Sequence, residues 1–306
     1  MPQFLSRTVP ALSLARQRLL LLLLLLLLWG AAPAARADCP IEARELPLAG
    51  GAILHYSQTG DGPPVVLLHG LFASKEQWHG LMCHLAAAGH QVLAPDLPGY
   101  GASRGFPRQD YALPRQVERL HEFITGLELP PLALAGNSMG GAVAGLYARQ
   151  HPRQVSSLAL LAPMGLGDWS PRFKQLLSQG NPLIPLSIDA FDRELALLMA
   201  RPPQLPRAYK AKVVAGYQSE QPHYRQVWAL VHRARVDYCA PSGPPTLVLW
   251  GSQEQLFARP PEPAVSRCLP GSRQVLLPGV GHLPQLEAPQ ATAAAYLDFL
   301  SRTGTP

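Results

Sequence analysis

The sequence predicts an α/β fold, in which a mostly parallel β-sheet is flanked by helices and interrupted by a helical insertion. Two observations support this prediction. Short apolar runs, typical of strands buried on both faces, alternate with helical patterns along most of the chain. Between residues 165 and 244 this alternation stops, and helical patterns follow one another without a clear strand. With 306 residues, 47% of them hydrophobic, the chain is long enough to bury a large core.

The predicted sheet begins with a hairpin. Two β-like runs, Leu46–Leu48 and Ala52–Tyr56, flank a turn at Ala49-Gly50-Gly51. The later runs are short and largely apolar, as expected for parallel strands in the middle of a covered sheet. These predicted strands are Val65–Leu68, Gln91–Ala94, Leu132–Ala135, Ser157–Leu161, Thr246–Trp250 and Gln274–Leu277.

Helical patterns connect the predicted strands. Those of the sheet region are Gln77–Ala88, Tyr111–Gly126, Met139–Gln150, Glu262–Cys268 and Pro289–Ser301. Those of the insertion are Arg172–Ser178, Asp189–Met199, Lys210–Ser219 and His223–Arg235. We therefore predict a core formed by residues 38–164 and 245–306, with a helical cap, or lid, at residues 165–244.

The first 37 residues resemble a secretory signal peptide. Arginines precede an unbroken leucine run, Leu19–Leu28, and small residues follow it up to Ala35-Arg36-Ala37. A transmembrane anchor is the alternative, but the apolar run Leu19–Ala32 has only 14 residues, short of the roughly 20 that span a bilayer. We expect cleavage after Ala37 and export, with the mature chain periplasmic or secreted.

Export changes how charge and cysteines are interpreted. The leader carries four arginines, so its removal lowers the formal charge from +6 to +2, which is no indication of nucleic-acid binding. All four cysteines remain in the mature chain, where an oxidising compartment favours disulfides. Cys239 precedes a predicted strand, and Cys268 ends the helix that returns to the same end of the sheet. We predict that these two pair, the alternative being free, buried thiols.

Ser138 is the predicted nucleophile. It lies in Gly136-Asn137-Ser138-Met139-Gly140, a G-x-S-x-G pattern. The motif alone is weak, but the buried strand Leu132–Ala135 ends just before it and a helix begins just after it, the setting of a nucleophile elbow. The glycines leave room for the sharp turn, and the helix N-terminus directs free N–H groups toward the site.

A serine hydroxyl needs a base, and His282 is the best candidate among ten histidines. It follows the strand Gln274–Leu277 in a glycine-containing loop that can reach the carboxyl edge of the sheet. His69 is the alternative base, but it lies upstream of the serine. In folds with a nucleophile elbow of this kind, the chain order is serine, acid, histidine. We interpret His69 as a structural residue that shapes the loop after Val65–Leu68.

The base needs an acid partner, for which we predict Glu254. It follows the strand Thr246–Trp250, and both its strand-end position and its place in the chain order suit the role. Asp168 and Asp237 are the alternatives.

For the oxyanion hole, we predict the backbone N–H groups of Met139 and Leu71, with Phe72 as the alternative to Leu71.

These motifs occur in the order typical of the α/β-hydrolase superfamily, which the mature chain resembles over nearly its whole length. The matching features are His69-Gly70, Pro95–Gly101, the elbow, Trp250-Gly251 and Gly281-His282. The elbow Gly136–Gly141 and the cap stretch from Asn181–Leu183 through Arg201–Pro206 are similar to those of exported lipases and esterases of Gram-negative bacteria. A glutamate at the usual aspartate position is a departure from that pattern.

This resemblance implies hydrolysis of carboxylic esters, such as acyl glycerols, by a Ser-His-Glu triad without a cofactor or metal. Expected partners are small-molecule or lipid esters, with transient contact to lipid surfaces and no nucleic acid. The cap residues expected to form an apolar acyl pocket, or else to pack the cap, are Trp169, Phe173, Leu176, Leu177, Leu183, Ile184, Leu186, Phe191, Leu197, Leu198 and Met199.

Two other functions stay open at this stage. The elbow is also similar to that of cytosolic carbon–carbon bond hydrolases of aromatic degradation, although a signal peptide argues against such a role. A non-catalytic binding protein with the same fold is the other alternative, but such proteins usually lose a member of the triad.

Overall fold

A single mostly parallel sheet organises the described part of the chain, residues 39–240 and 242–304 of the computed structural model. The predicted signal peptide lies outside the described residues. The sheet has the order β1-β2-β4-β3-β5-β6-β7-β8. Its strands are β1 Glu42–Pro47, β2 Ile53–Thr59, β3 Pro64–Leu68, β4 Gln91–Pro95, β5 Leu132–Asn137, β6 Val155–Leu161, β7 Thr246–Gly251 and β8 Arg273–Leu277.

The antiparallel pairings of the described sheet all involve β2, which runs opposite to the other strands. β1 and β2 form the predicted antiparallel hairpin, in register from Glu42 opposite Gln58 to Pro47 opposite Ile53. Their turn needs glycine at Gly50, since φ is +83° there. β2 pairs antiparallel with β4, and every later pairing in the sheet is parallel. The fold class predicted from the sequence is confirmed.

Helices cover both faces of the sheet, which explains why β3, β5 and β7 are buried along their full lengths. Phe123 and Tyr147 are buried in the core of one face, and Trp78 and Tyr296 in that of the other. The helices around the sheet are α1 His79–Ala87, α2 Leu113–Gly126, α3 Met139–Gln150, α8 Glu262–Cys268, α9 Pro284–Glu287 and α10 Pro289–Arg302. Of the helices in the described residues, none has the length and apolarity needed to cross a membrane.

Four helices lie between β6 and β7, within the predicted cap segment. They are α4 Pro171–Gln179, α5 Ile188–Leu198, α6 Arg207–Ser219 and α7 Gln221–Val231. Serine side chains cap the first two, because Ser170 accepts from the Phe173 N–H and Ser187 from the Ala190 N–H. The ring of Trp169 packs 4.6 Å from that of Phe173 and 4.8 Å from that of Phe257, which joins this segment to the loop after β7. From Pro40 onward the chain is one compact unit.

A disulfide joins Cys239 to Cys268, with their Cα atoms 4.4 Å apart, which confirms the predicted pairing. The Ala240 N–H also donates to the Cys268 carbonyl at 3.1 Å. The bridge thus links the segment leading into β7 to the end of α8. Among the described residues there is no free cysteine thiol.

Candidate active site

Ser138 lies at a strained turn between β5 and α3. Its φ of 54° and ψ of −118° are rare for a residue with a side chain. A Cβ atom at Gly136 would lie 2.2 Å from the Gly140 carbonyl oxygen, and one at Gly140 would lie 2.2 Å from the Leu68 carbonyl oxygen. Only glycine therefore allows the chain to close this turn, and the geometry is that of the predicted nucleophile elbow.

The structure brings His282 and Glu254 into direct contact. Nδ1 of His282 lies 2.7 Å from Oε2 of Glu254, and both side chains are almost completely buried. The other carboxylate oxygen of Glu254 accepts from the backbone N–H groups of Leu256 at 2.7 Å and Phe257 at 3.2 Å. A carboxylate held in this way favours the proton on Nδ1, which leaves Nε2 as the basic nitrogen.

Neither alternative acid contacts His282. Asp168 is exposed, and its backbone carbonyl accepts from the Ala258 N–H. Asp237 is also exposed and pairs with Arg149 at 2.8 Å. Of the three acids considered from the sequence, the structure therefore brings only Glu254 to the histidine.

His69 is fixed at both ring nitrogens. Nδ1–H donates to the Gly70 carbonyl at 2.8 Å, and Nε2 accepts from the Leu97 N–H at 3.0 Å. The side chain is fully buried, and desolvation lowers its pKa, which favours the neutral ring. These contacts agree with the structural role predicted for His69, because both nitrogens hold backbone groups of the loop that follows β3.

Ser138, His282, Leu71 and Met139 all line one cavity. Met139 is the first residue of α3, so its N–H has no partner within that helix. The N–H groups of Leu71 and Met139 donate to no other described residue, and the same holds for Phe72. The N–H groups of Leu71 and Phe72 are therefore both free to act as the second oxyanion donor beside Met139. The described hydrogen bonds of the His282 ring involve Nδ1, and none joins Nε2 to Ser138 Oγ.

Two side-chain amides in the cavity lining, those of Gln77 and Asn137, are hydrogen-bonded to each other, and their role was not predicted from the sequence. Gln77 accepts from the Gly70 N–H at 3.2 Å and donates to Asn137 Oδ1 at 3.0 Å. The amide nitrogen of Asn137 in turn donates to the carbonyls of Leu161 at 3.0 Å and His282 at 3.1 Å. Two side chains thus connect the loop after β3, the elbow and the histidine loop.

The cavity has a volume of about 290 Å³ and a largely apolar lining. The predicted pocket residues divide between the two roles considered for them. Those that line the cavity are Trp169, Leu183, Phe191 and Leu198. Phe173 and Leu197 are instead buried in packing, and Leu186 is 39% exposed.

One acid, Glu194 of α5, also lines the cavity and is 6% exposed. The sequence signal for Glu194 is an acid on the apolar face of an amphipathic helix.

Comparisons with known proteins agree with this architecture. The family profile described as alpha/beta hydrolase fold matches residues 63–289. Lipase 1 of Psychrobacter immobilis is 30% identical over 85% of this chain and 84% of that protein. The monoacylglycerol lipase ABHD6 of Homo sapiens is 29% identical over 79% of this chain and 76% of that protein. The crystal structure of a bacterial membrane phospholipase A is 27% identical, with a TM-score of 0.74, and covers 95% of this chain and 99% of that one.

Proposed function

Since this chain belongs to the family of proteins with the alpha/beta hydrolase fold, we propose that it is an exported serine hydrolase that cleaves carboxylic esters of the acyl glycerol type. One observation carries the proposal: Ser138 at its strained elbow shares a cavity with His282, whose ring Glu254 holds at 2.7 Å. The chain's relatives are lipases and monoacylglycerol lipases, which supports lipid ester hydrolysis.

In the proposed reaction, Ser138 Oγ attacks the acyl carbon while His282 Nε2 takes its proton. The N–H groups of Met139 and Leu71 stabilise the oxyanion of the tetrahedral intermediate. His282 then gives the proton to the leaving alcohol, and the acyl group remains on Ser138. A water molecule, deprotonated by His282, releases the carboxylic acid. Glu254 stabilises the imidazolium in both steps.

Export and contact with lipid surfaces are further parts of the proposal. Cys239–Cys268 is a disulfide of the kind that persists in oxidising compartments, which supports export. The proposed cleavage after Ala37 rests on the sequence Ala35-Arg36-Ala37. Leu286 lines the cavity yet is 47% exposed, and Leu186 of the cap is 39% exposed. These apolar side chains would suit transient contact with a lipid surface.

Active-site labelling tests the proposal directly. A fluorophosphonate probe should label the folded wild type and fail to label Ser138→Ala. A series of p-nitrophenyl and glycerol esters of increasing acyl length should be hydrolysed by the wild type alone. A folded wild type that neither reacts with the probe nor cleaves any ester would overturn the proposal. Turnover of a vinylogous diketone in place of esters would favour carbon–carbon bond hydrolysis instead.

A further inference from the structure

Glu194 is the acidic side chain that α5 presents to the cavity. Phe191, Leu195 and Leu198 line the cavity with it, and these positions share one side of a helix. An apolar side chain at position 194 could pack against an acyl chain without burying a polar group, whereas the carboxyl group of Glu194 cannot. A carboxyl group at this buried position is stable only if it has a hydrogen-bond partner.

No described residue supplies that partner. Oε2 of Glu194 is buried and has no hydrogen-bond partner, and no described cation forms an ion pair with this carboxyl group. Burial removes this carboxyl group from water, and the desolvation raises the pKa of Glu194 to about 8. Burial therefore favours the neutral form, and a neutral carboxyl can both donate and accept a hydrogen bond.

A buried polar group without a hydrogen bond is costly, so a ligand that satisfies it gains affinity. The cavity lining is otherwise mainly apolar, and its other polar side chains are Ser74, Gln77, Asn137, Ser138, Tyr217 and His282. An ester that places a hydroxyl group there would bind better than one that places a methyl or methylene group there. In the acyl glycerols of the proposed function, the free hydroxyls belong to the alcohol part.

We propose that Glu194 is a specificity-determining residue that hydrogen-bonds a free hydroxyl of the glycerol part of the substrate, and so selects partial acyl glycerols over esters of simple alcohols. This inference rests on the proposed function. It assigns to the cavity a polar subsite that lies on the cap, whereas Ser138, His282 and Glu254 all lie on the sheet domain.

Two esters with the same acyl chain isolate this contribution. In 1-monooctanoylglycerol the alcohol part carries two free hydroxyls, and in propyl octanoate it carries none. We expect Glu194→Leu to lower kcat/KM for monooctanoylglycerol about tenfold while changing that for propyl octanoate less than about twofold, as the loss of one hydrogen bond predicts. Glu194→Gln, which can still donate and accept, should keep the wild-type ratio of the two values within about threefold.

The ratio of the two kcat/KM values is the decisive measurement, because it cancels any loss of folded enzyme. Arg193→Leu, at an exposed neighbouring position of α5, is the matched control and should leave the ratio unchanged. An unchanged ratio in Glu194→Leu overturns this inference while leaving the proposed function intact. A folded wild type that hydrolyses neither ester overturns both.

Discussion

Glu254 has a side chain one methylene longer than that of an aspartate, and its carboxylate lies 2.7 Å from Nδ1 of His282. The loop after β7 accommodates the extra methylene, and two backbone N–H groups fix the carboxylate at 2.7 and 3.2 Å. Glu254→Gln should lower kcat about a thousandfold or more, because the amide no longer stabilises the imidazolium or its tautomer. Steady-state hydrolysis of a p-nitrophenyl ester measures this loss. Asp168→Asn is the control, and near-normal turnover in Glu254→Gln would remove the assigned role.

Glu194 should also make stability depend on pH. In the unfolded chain its carboxyl ionises near 4.5, whereas in the folded protein burial raises the pKa to about 8. The folded state therefore retains a proton that the unfolded state loses, and this group's contribution to stability falls as pH rises from about 4.5 to 8. Relative to wild type, Glu194→Gln should gain roughly 5 °C or more in Tm between pH 5 and pH 8.

Thermal unfolding followed by circular dichroism at several pH values tests this expectation. The same substitution at exposed Glu262 is the control, and its Tm difference from wild type should stay the same over this range. A Tm difference for Glu194→Gln that is flat with pH would mean that the carboxyl ionises inside the folded protein without cost.

At the scale of elements, the elbow depends on close contact between β5 and α3. A methyl group at Gly136 would lie 2.2 Å from the Gly140 carbonyl oxygen, so one of the two elements must move. Gly136→Ala should lower the free energy of unfolding by about 3 kcal/mol or more and abolish esterase activity. Gly105→Ala, where nothing lies within 4 Å of the added carbon, should leave both unchanged. Denaturant unfolding and ester hydrolysis measure the two effects.

The amides of Gln77 and Asn137 couple three elements that carry the proposed site. Without the Asn137 side chain, the His282 carbonyl loses a donor and the loop after β3 loses its indirect link to the elbow. Asn137→Ala should lower kcat about 10- to 100-fold, because small displacements of reacting groups are costly. Gln116→Ala removes an equally buried amide that donates to the Pro98 carbonyl. It should lose stability with little change in kcat, and an equal loss of kcat in both variants would contradict a positioning role for Asn137.

The sequence predicted those features that depend on neighbouring residues. A buried run followed by small residues and a helix predicted the elbow, and the strand ends placed Glu254 and His282 on the same edge. The Asn137 contacts join residues 60 and 145 positions apart, which local patterns cannot reveal. Likewise, the sequence shows that Glu194 is an acid on an apolar helix face, but only the structure shows that this face borders the cavity.

For the whole molecule, the sheet topology explains why distant segments meet. β3, β5, β7 and β8 are all parallel, so the loops that follow them emerge at one edge of the sheet. Those loops carry Leu71, Ser138, Glu254 and His282 respectively. Of the four helices inserted between β6 and β7, α5 contributes Phe191, Leu195 and Leu198 to the cavity lining, and α6 contributes Tyr217.

The same topology places the Cys239–Cys268 disulfide away from the proposed site, because it joins the segment before β7 to the segment before β8. The double variant Cys239→Ala/Cys268→Ala should therefore lose stability while kcat at low temperature stays within about twofold of wild type. The bridge closes a separation of 29 residues, for which chain entropy predicts a loss of about 3–4 kcal/mol. In a protein of this size, that corresponds to a fall in Tm of roughly 6–15 °C. Substitution is preferable to a reducing agent, which would also reach the other cysteines, and a large loss of kcat well below Tm would show that the bridge shapes the site itself.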